Sequence, residues 1–268
     1  MLRNHWATAA LLLALASSCR APTASFNEGA EIQAVPQRPT YSSNTYTTAP
    51  ETLQLELGAS LDPDDAAAMP TTLRYGFDER NELFADVSPI TAVEGAGVGV
   101  SDLFVGWRQR WADPEGEQLG LAWQGTLKFP TGDEDKGLGT GEFDAFFAGI
   151  STLQQQDWSA TGYLQFGLLG SPTGSGVDPQ YGLAAAADRS VAANTAVFGE
   201  LAGVFTPDQN SDIVFTTLGG VWSPTPGLAL DAALRIGLSS DAPDLEFVIG
   251  FTRNLGRASG YAPRSARN

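Results

Sequence analysis

The chain has 268 residues, of which 31 are acidic and 15 basic, for a formal charge of −16, and 43% are hydrophobic types. Beyond the N-terminus there is no run of about eighteen apolar residues, which excludes helical membrane spans. Without a basic cluster in the strand-forming region, nucleic acid or an anionic bilayer surface finds no patch to bind. Thirty glycines and sixteen prolines beside 17% charged residues suit many strands joined by turns.

Residues 1–18 have the form of a secretory signal peptide, with Arg3 and His5 at a positive start, an apolar stretch from Ala7 to Ala16, and small Ser17 and Ser18. Cys19 is the only cysteine and follows directly, as in a bacterial lipobox, although Ala16 stands where Leu is usual. Lipidation of Cys19 and an ordinary cleavage site are both open readings, and neither leaves a partner for an intrachain disulfide. Residues 19–50 carry Pro22, Pro36, Pro39 and Pro50 among many Ser, Thr and Gln, with no periodicity. They are expected to be a flexible linker without function.

Twelve runs of alternating apolar and polar residues follow, at 51–61, 70–77, 82–89, 97–111, 118–129, 142–153, 158–169, 180–188, 194–205, 212–222, 228–239 and 244–255. The last sets Leu245, Phe247, Ile249 and Phe251 against Glu246, Val248, Gly250 and Thr252, the period of two that a strand imposes. The fold class is therefore all-β: an antiparallel transmembrane β-barrel of about 12 strands over 51–255, with a C-terminal tail at 256–268. Longer connections alternate with shorter ones, which puts the longer set outside and both termini in the periplasm. The tail, with Arg257, Arg264 and Arg267, stands where many such barrels end on an aromatic strand residue.

The polar residues set the facing. Leu53, Leu55, Leu57, Leu121, Trp123, Leu127, Phe129, Trp158, Leu164, Phe166, Leu168, Val197, Leu201 and Phe205 are expected to face lipid. The lumen is expected to be lined by Glu56, Asp102, Arg108, Arg110, Gln124, Lys128, Asp144, Tyr163, Gln165, Glu200, Asp231, Arg235 and Glu246. A twelve-stranded barrel is narrow enough for one inward loop to constrict it, and the connection 130–141, with Asp133, Glu134, Asp135 and Lys136, is the candidate. The mixed charges favour small neutral or aromatic solutes over strongly charged ions.

Catalysis finds few groups here. The sole histidine, His5, leaves with the signal, so Ser-His-Asp hydrolysis and His-ligated zinc are lost together. The carboxylates are spread over separate strands, and pairing with lumen cations accounts for them; no enzyme activity, cofactor or metal is expected. The acidic connections Asp62 to Asp65 and Asp133 to Asp135 lack the spacing of an EF-hand loop. Gly137 to Gly141 is glycine-rich, but neither a Lys at the required offset nor a helix follows it.

At Gly99 to Arg110, Leu127 to Gly132, Gly137 to Gly141 and Ala242 to Phe251 the chain resembles the bacterial outer-membrane transporter-like barrels named after the meta pathway of phenol degradation. The Pro130-Thr131-Gly132-Asp133 element leading to a new strand at Phe143 is its most specific part. The resemblance implies an outer-membrane transporter or channel for small, aromatic or neutral compounds. Its partners would be outer-membrane lipid, a small-molecule solute and, during biogenesis, the barrel-assembly machinery, with no nucleic acid. Two alternatives stay open: a structural or surface-display barrel with a plugged lumen, and a soluble secreted β-sandwich.

Overall fold

The computed structural model describes residues 32–63, 66–95, 97–114, 118–171 and 176–257. Cys19, the signal segment 1–18 and most of the tail 256–268 lie outside them.

Twelve strands form the wall: β1 (Thr52–Asp62), β3 (Thr71–Gly76), β4 (Asn81–Val87), β7 (Leu103–Ala112), β8 (Leu119–Phe129), β9 (Asp144–Gln155), β10 (Trp158–Gly170), β11 (Val177–Ala192), β12 (Thr195–Thr206), β13 (Ser211–Thr225), β14 (Leu228–Gly237) and β15 (Leu245–Arg257). Each pairs antiparallel with its neighbours, and β15 closes on β1 in a register that runs from Thr52 opposite Arg257 to Leu61 opposite Phe247. Closure leaves the wall without a free edge, the condition for a sheet to stand in lipid. Three short strands, β2 (Ala66–Ala68), β5 (Thr91–Val93) and β6 (Gly97–Gly99), make a fringe on β1 at one rim. The run 97–111, expected to be one strand, thus divides at Val100 to Asp102, where the chain turns from the fringe into the wall.

Burial is inverted relative to a water-soluble protein. Leu164 is 63% exposed and Leu201 55%, whereas Glu82 and Gln54 are fully enclosed. Large apolar side chains stand on the outer face of the strands because lipid is their solvent, and charged ones turn inward. Aromatic side chains gather near both rims. Tyr75, Phe77 and Trp107 form one outer cluster at the end with the short turns, with ring centroids 4.9 and 5.1 Å apart. Phe129 packs on Phe143 and Phe166 on Tyr181 toward the other end, each pair at 5.7 Å. This is the girdle arrangement of membrane barrels.

The expectation of a flexible linker over 19–50 is corrected for residues 32–50, which lie inside the barrel. The segment enters beside the turn between β13 and β14, where the Ala34 N–H donates to the Pro226 carbonyl at 2.7 Å. It leaves beside the end of β3, where Pro50 bridges Gly76. Both points are at the short-turn end, so the segment rises into the lumen and returns. Inside the loop so formed, Asn44 N–H donates to Gln37 Oε1 at 2.9 Å and Gln37 Nε2 to Asn44 Oδ1 at 2.9 Å and to the Tyr46 carbonyl at 3.0 Å. Regular periodicity is absent because its backbone groups are satisfied by wall side chains and not by a neighbouring strand.

Candidate functional site: a filled polar lumen

The wall receives the segment group by group. The Gln54 amide acts as a strand partner for Val35, accepting its N–H and donating to its carbonyl, both at 2.8 Å. Glu56 Oε1 accepts the Gln37 N–H at 3.2 Å and Gln54 Nε2 at 3.1 Å. Glu200 takes three donors from two successive residues: Tyr41 N–H at 2.8 Å, Ser42 N–H at 2.8 Å and Ser42 Oγ at 2.6 Å. Thr45 N–H reaches Thr152 Oγ1 at 3.1 Å, and Thr48 N–H reaches Glu82 Oε2 at 2.8 Å. Arg38 pairs with Asp231 at 3.0 Å. Buried carboxylates are tolerated when each finds donors, and here most of those donors come from the segment.

Several other charges are paired within the wall. Glu82 binds Arg74 and stands 3.4 Å from Arg108, which also donates to Gln124 Oε1 at 2.6 Å and to the Asn44 and Tyr46 carbonyls at 3.3 Å. Arg235 binds Glu246 at 2.5 Å and lies over the Phe215 ring at 4.8 Å. At the long-loop rim Lys128 sits between Asp144 at 2.6 Å and Asp102 at 3.3 Å. Tyr163 donates to Gln165 Oε1 at 2.7 Å, and its ring meets Tyr41 edge-on at 5.7 Å. Arg110 stands apart at the short-turn rim, bound to Asp113 at 2.8 Å.

The expected constriction at 130–141 is corrected as well. Asp102 grips the two feet of that loop through the Gly132 N–H at 2.9 Å and the Thr140 N–H at 3.1 Å, and Leu138 is buried. The tip residues Asp133, Glu134, Asp135 and Lys136 are left exposed in a 3-10 turn. There the Lys136 ammonium, 2.6 Å from Asp133, holds that carboxyl below the usual carboxylate range. Residues 32–50, and not this tip, fill the lumen.

Sequence reasoning missed Gln37, Arg38, Tyr41, Ser42 and Thr48 as lumen residues, together with Arg74 and Glu82 on the wall. One signal was present for the segment: Arg38 is the only Lys or Arg between Arg20 and Arg74. Another was present for the wall, since Glu82, Phe84 and Asp86 alternate with Leu83, Ala85 and Val87.

A closed twelve-stranded antiparallel barrel with an apolar exterior and a charged interior is a transmembrane β-barrel. The family model described as "MetA-pathway of phenol degradation" matches residues 21–252, and the chain belongs to that family. The match begins well ahead of β1 and so includes the lumen segment. Among solved structures the chain is similar to a KdgM porin in complex with disordered oligogalacturonate, at 8% identity and a TM-score of 0.54 over 75% of this chain and 98% of that one. It is also similar to a KdgM porin at 7% identity and a TM-score of 0.50, with the same coverage. At these identities the likeness is one of fold. No curated protein sequence matches the chain.

Proposed function

We propose that the protein is an outer-membrane channel for small solutes that is closed at rest by its own N-terminal segment. Export by a signal peptide at 1–18 and tethering by a lipid on Cys19 belong to the same reading; labelled fatty acid incorporated by the wild type and lost in Cys19→Ser would support the tether, and an unlabelled wild type would remove it. The observation that carries the proposal is the division of labour in the lumen. The wall is a closed tube of charged and amide side chains, while the obstruction is a separable stretch of chain held by hydrogen bonds that water can replace and by the Arg38–Asp231 ion pair. A barrel built only for rigidity is filled more economically by apolar side chains, because buried ion pairs stabilise weakly against well-packed apolar groups.

The segment also supports a solute class. The Tyr41 phenol ring lies edge-on to Tyr163 at 5.7 Å and to Phe215 at 6.1 Å, with its hydroxyl accepting from Gln165 Nε2 at 3.4 Å. A berth that takes a phenol side chain suits a small aromatic alcohol. Proteoliposome swelling with phenol and with sugars of similar size tests this, using the whole chain and a variant lacking residues 34–48. The variant should admit both and prefer phenol at least several-fold. The second reading, a structural barrel with a permanently plugged lumen, is favoured by the number of strands to which the segment is bound. It prevails if the deletion variant migrates as a folded, heat-modifiable barrel and admits nothing.

A further inference from the structure

Three neighbouring strands meet to form a cation berth in the lumen wall. Asp231 on β14 is paired in register with Gly250 on β15, and Gly250 with Gly58 on β1. A carboxylate therefore stands at the edge of a shelf of bare backbone. Arg38 lies on that shelf: Nε donates to the two Asp231 oxygens at 3.0 and 3.3 Å, and Nη2 donates to the Ile249 carbonyl at 2.9 Å. A methyl group added at Gly58 or Gly250 would overlap the guanidinium. Glycine inside a strand weakens it and marks a close approach, and here two face each other beneath one flat ion. With Arg38 in place the Asp231 side chain is 1% exposed, and the guanidinium compensates its charge.

We infer that Asp231, the Ile249 carbonyl and the paired glycines Gly58 and Gly250 form a guanidinium-recognition site, that Arg38 is its intramolecular occupant, and that a small free guanidinium compound takes its place when Arg38 is removed. The shape selects the planar ion. Its edge offers the carboxylate and the carbonyl separate N–H donors while its face lies against the glycines, which a compact ammonium cannot reproduce. The site stands on its own geometry; only its consequence for gating, that such a compound holds the berth once the segment has left the lumen, rests on the channel reading.

The test is thermal unfolding of the full chain carrying Arg38→Ala, in detergent, with millimolar methylguanidinium or methylammonium. Methylguanidinium should raise the melting temperature by about 2–4 °C, methylammonium should raise it less, and the wild type, whose site is occupied, should not respond. Adding Asp231→Asn or Gly58→Ala to the variant should abolish the shift. No shift with Arg38→Ala, an equal shift with methylammonium, or a shift that survives Asp231→Asn overturns the inference. Should Arg38→Ala fail to refold, the chain lacking residues 34–48 presents the same vacant berth and is held to the same outcomes. Melting requires no conduction, so a barrel that passes nothing can still carry the site, and the two readings fail separately.

Discussion

Glu200 is the point at which the lumen segment is most concentrated on one side chain, and removing its carboxylate gives the sharpest prediction. In Glu200→Ala the Tyr41 N–H, the Ser42 N–H and the Ser42 hydroxyl lose their acceptor together. Hydrogen bonds to a charged group are worth about 1.5–3 kcal/mol each, but the released segment is rehydrated and the wall no longer buries a charge. A net shift of about 2–4 kcal/mol toward the withdrawn state follows, or about 30- to 1,000-fold in the ratio of withdrawn to inserted segment. Hydrogen–deuterium exchange of peptides spanning 34–48 reads that ratio, because backbone N–H groups held by wall side chains exchange only when the segment leaves. The exchange rate of those peptides should rise by that factor while peptides from β9 to β12 keep their protection. Glu200→Gln, which retains an acceptor oxygen, should fall between. Unchanged exchange at 34–48 in Glu200→Ala would refute the reasoning, since it would mean that the carboxylate does not hold the segment.

Other consequences follow from the same structure. Leu164 lies midway along β10 on the lipid face, so Leu164→Arg should cost about 2–4 kcal/mol in a refolding titration; an unchanged midpoint would take that side chain off the lipid face. Lys128→Met should destabilise by about 3 kcal/mol, because it leaves Asp144 and Asp102 buried without their shared cation, and the loss should show in urea unfolding of the refolded barrel. In the turn after β3, the Arg80 N–H, 2.8 Å from Asp78, together with the groups of Asn81, holds the Asp78 carboxyl below the usual range. Its support of that turn is present above the unfolded-state pKa and is lost as pH falls through the lower folded value; a carboxyl carbon titration giving an ordinary value would remove the claim.

The wall was legible because lipid outside and charge inside impose the same alternation on every strand. Leu53, Leu55 and Leu57 against Gln54, Glu56 and Gly58 already carry both the strand and its facing. The fringe strands were hidden by their length, since three residues such as Gly97 to Gly99 cannot display a period. The lumen segment was hidden for a deeper reason. Residues 32–50 have the composition of a linker, and nothing local in Gln37, Arg38 or Ser42 says that their partners are Glu56, Asp231 and Glu200, the last two more than 150 positions away. The same carboxylates were recognisable as lumen residues, but with wall arginines as their expected partners. Only closure of β15 on β1, which encloses more acceptors than the wall can satisfy, creates the demand that the segment meets.

The central claim, that residues 32–50 occupy the conducting path and block it, is tested most directly by tethering the segment in place. Thr45 and Thr152 are in contact and fully enclosed, so cysteines at both positions, in a chain also carrying Cys19→Ser and the loosening change Glu200→Ala, should form a disulfide. Ionic current through planar bilayers should then be absent while the pair is oxidised and arise on reduction. Equal currents in the two states, with the disulfide verified by mass, would contradict the claim and leave the segment a bystander to conduction.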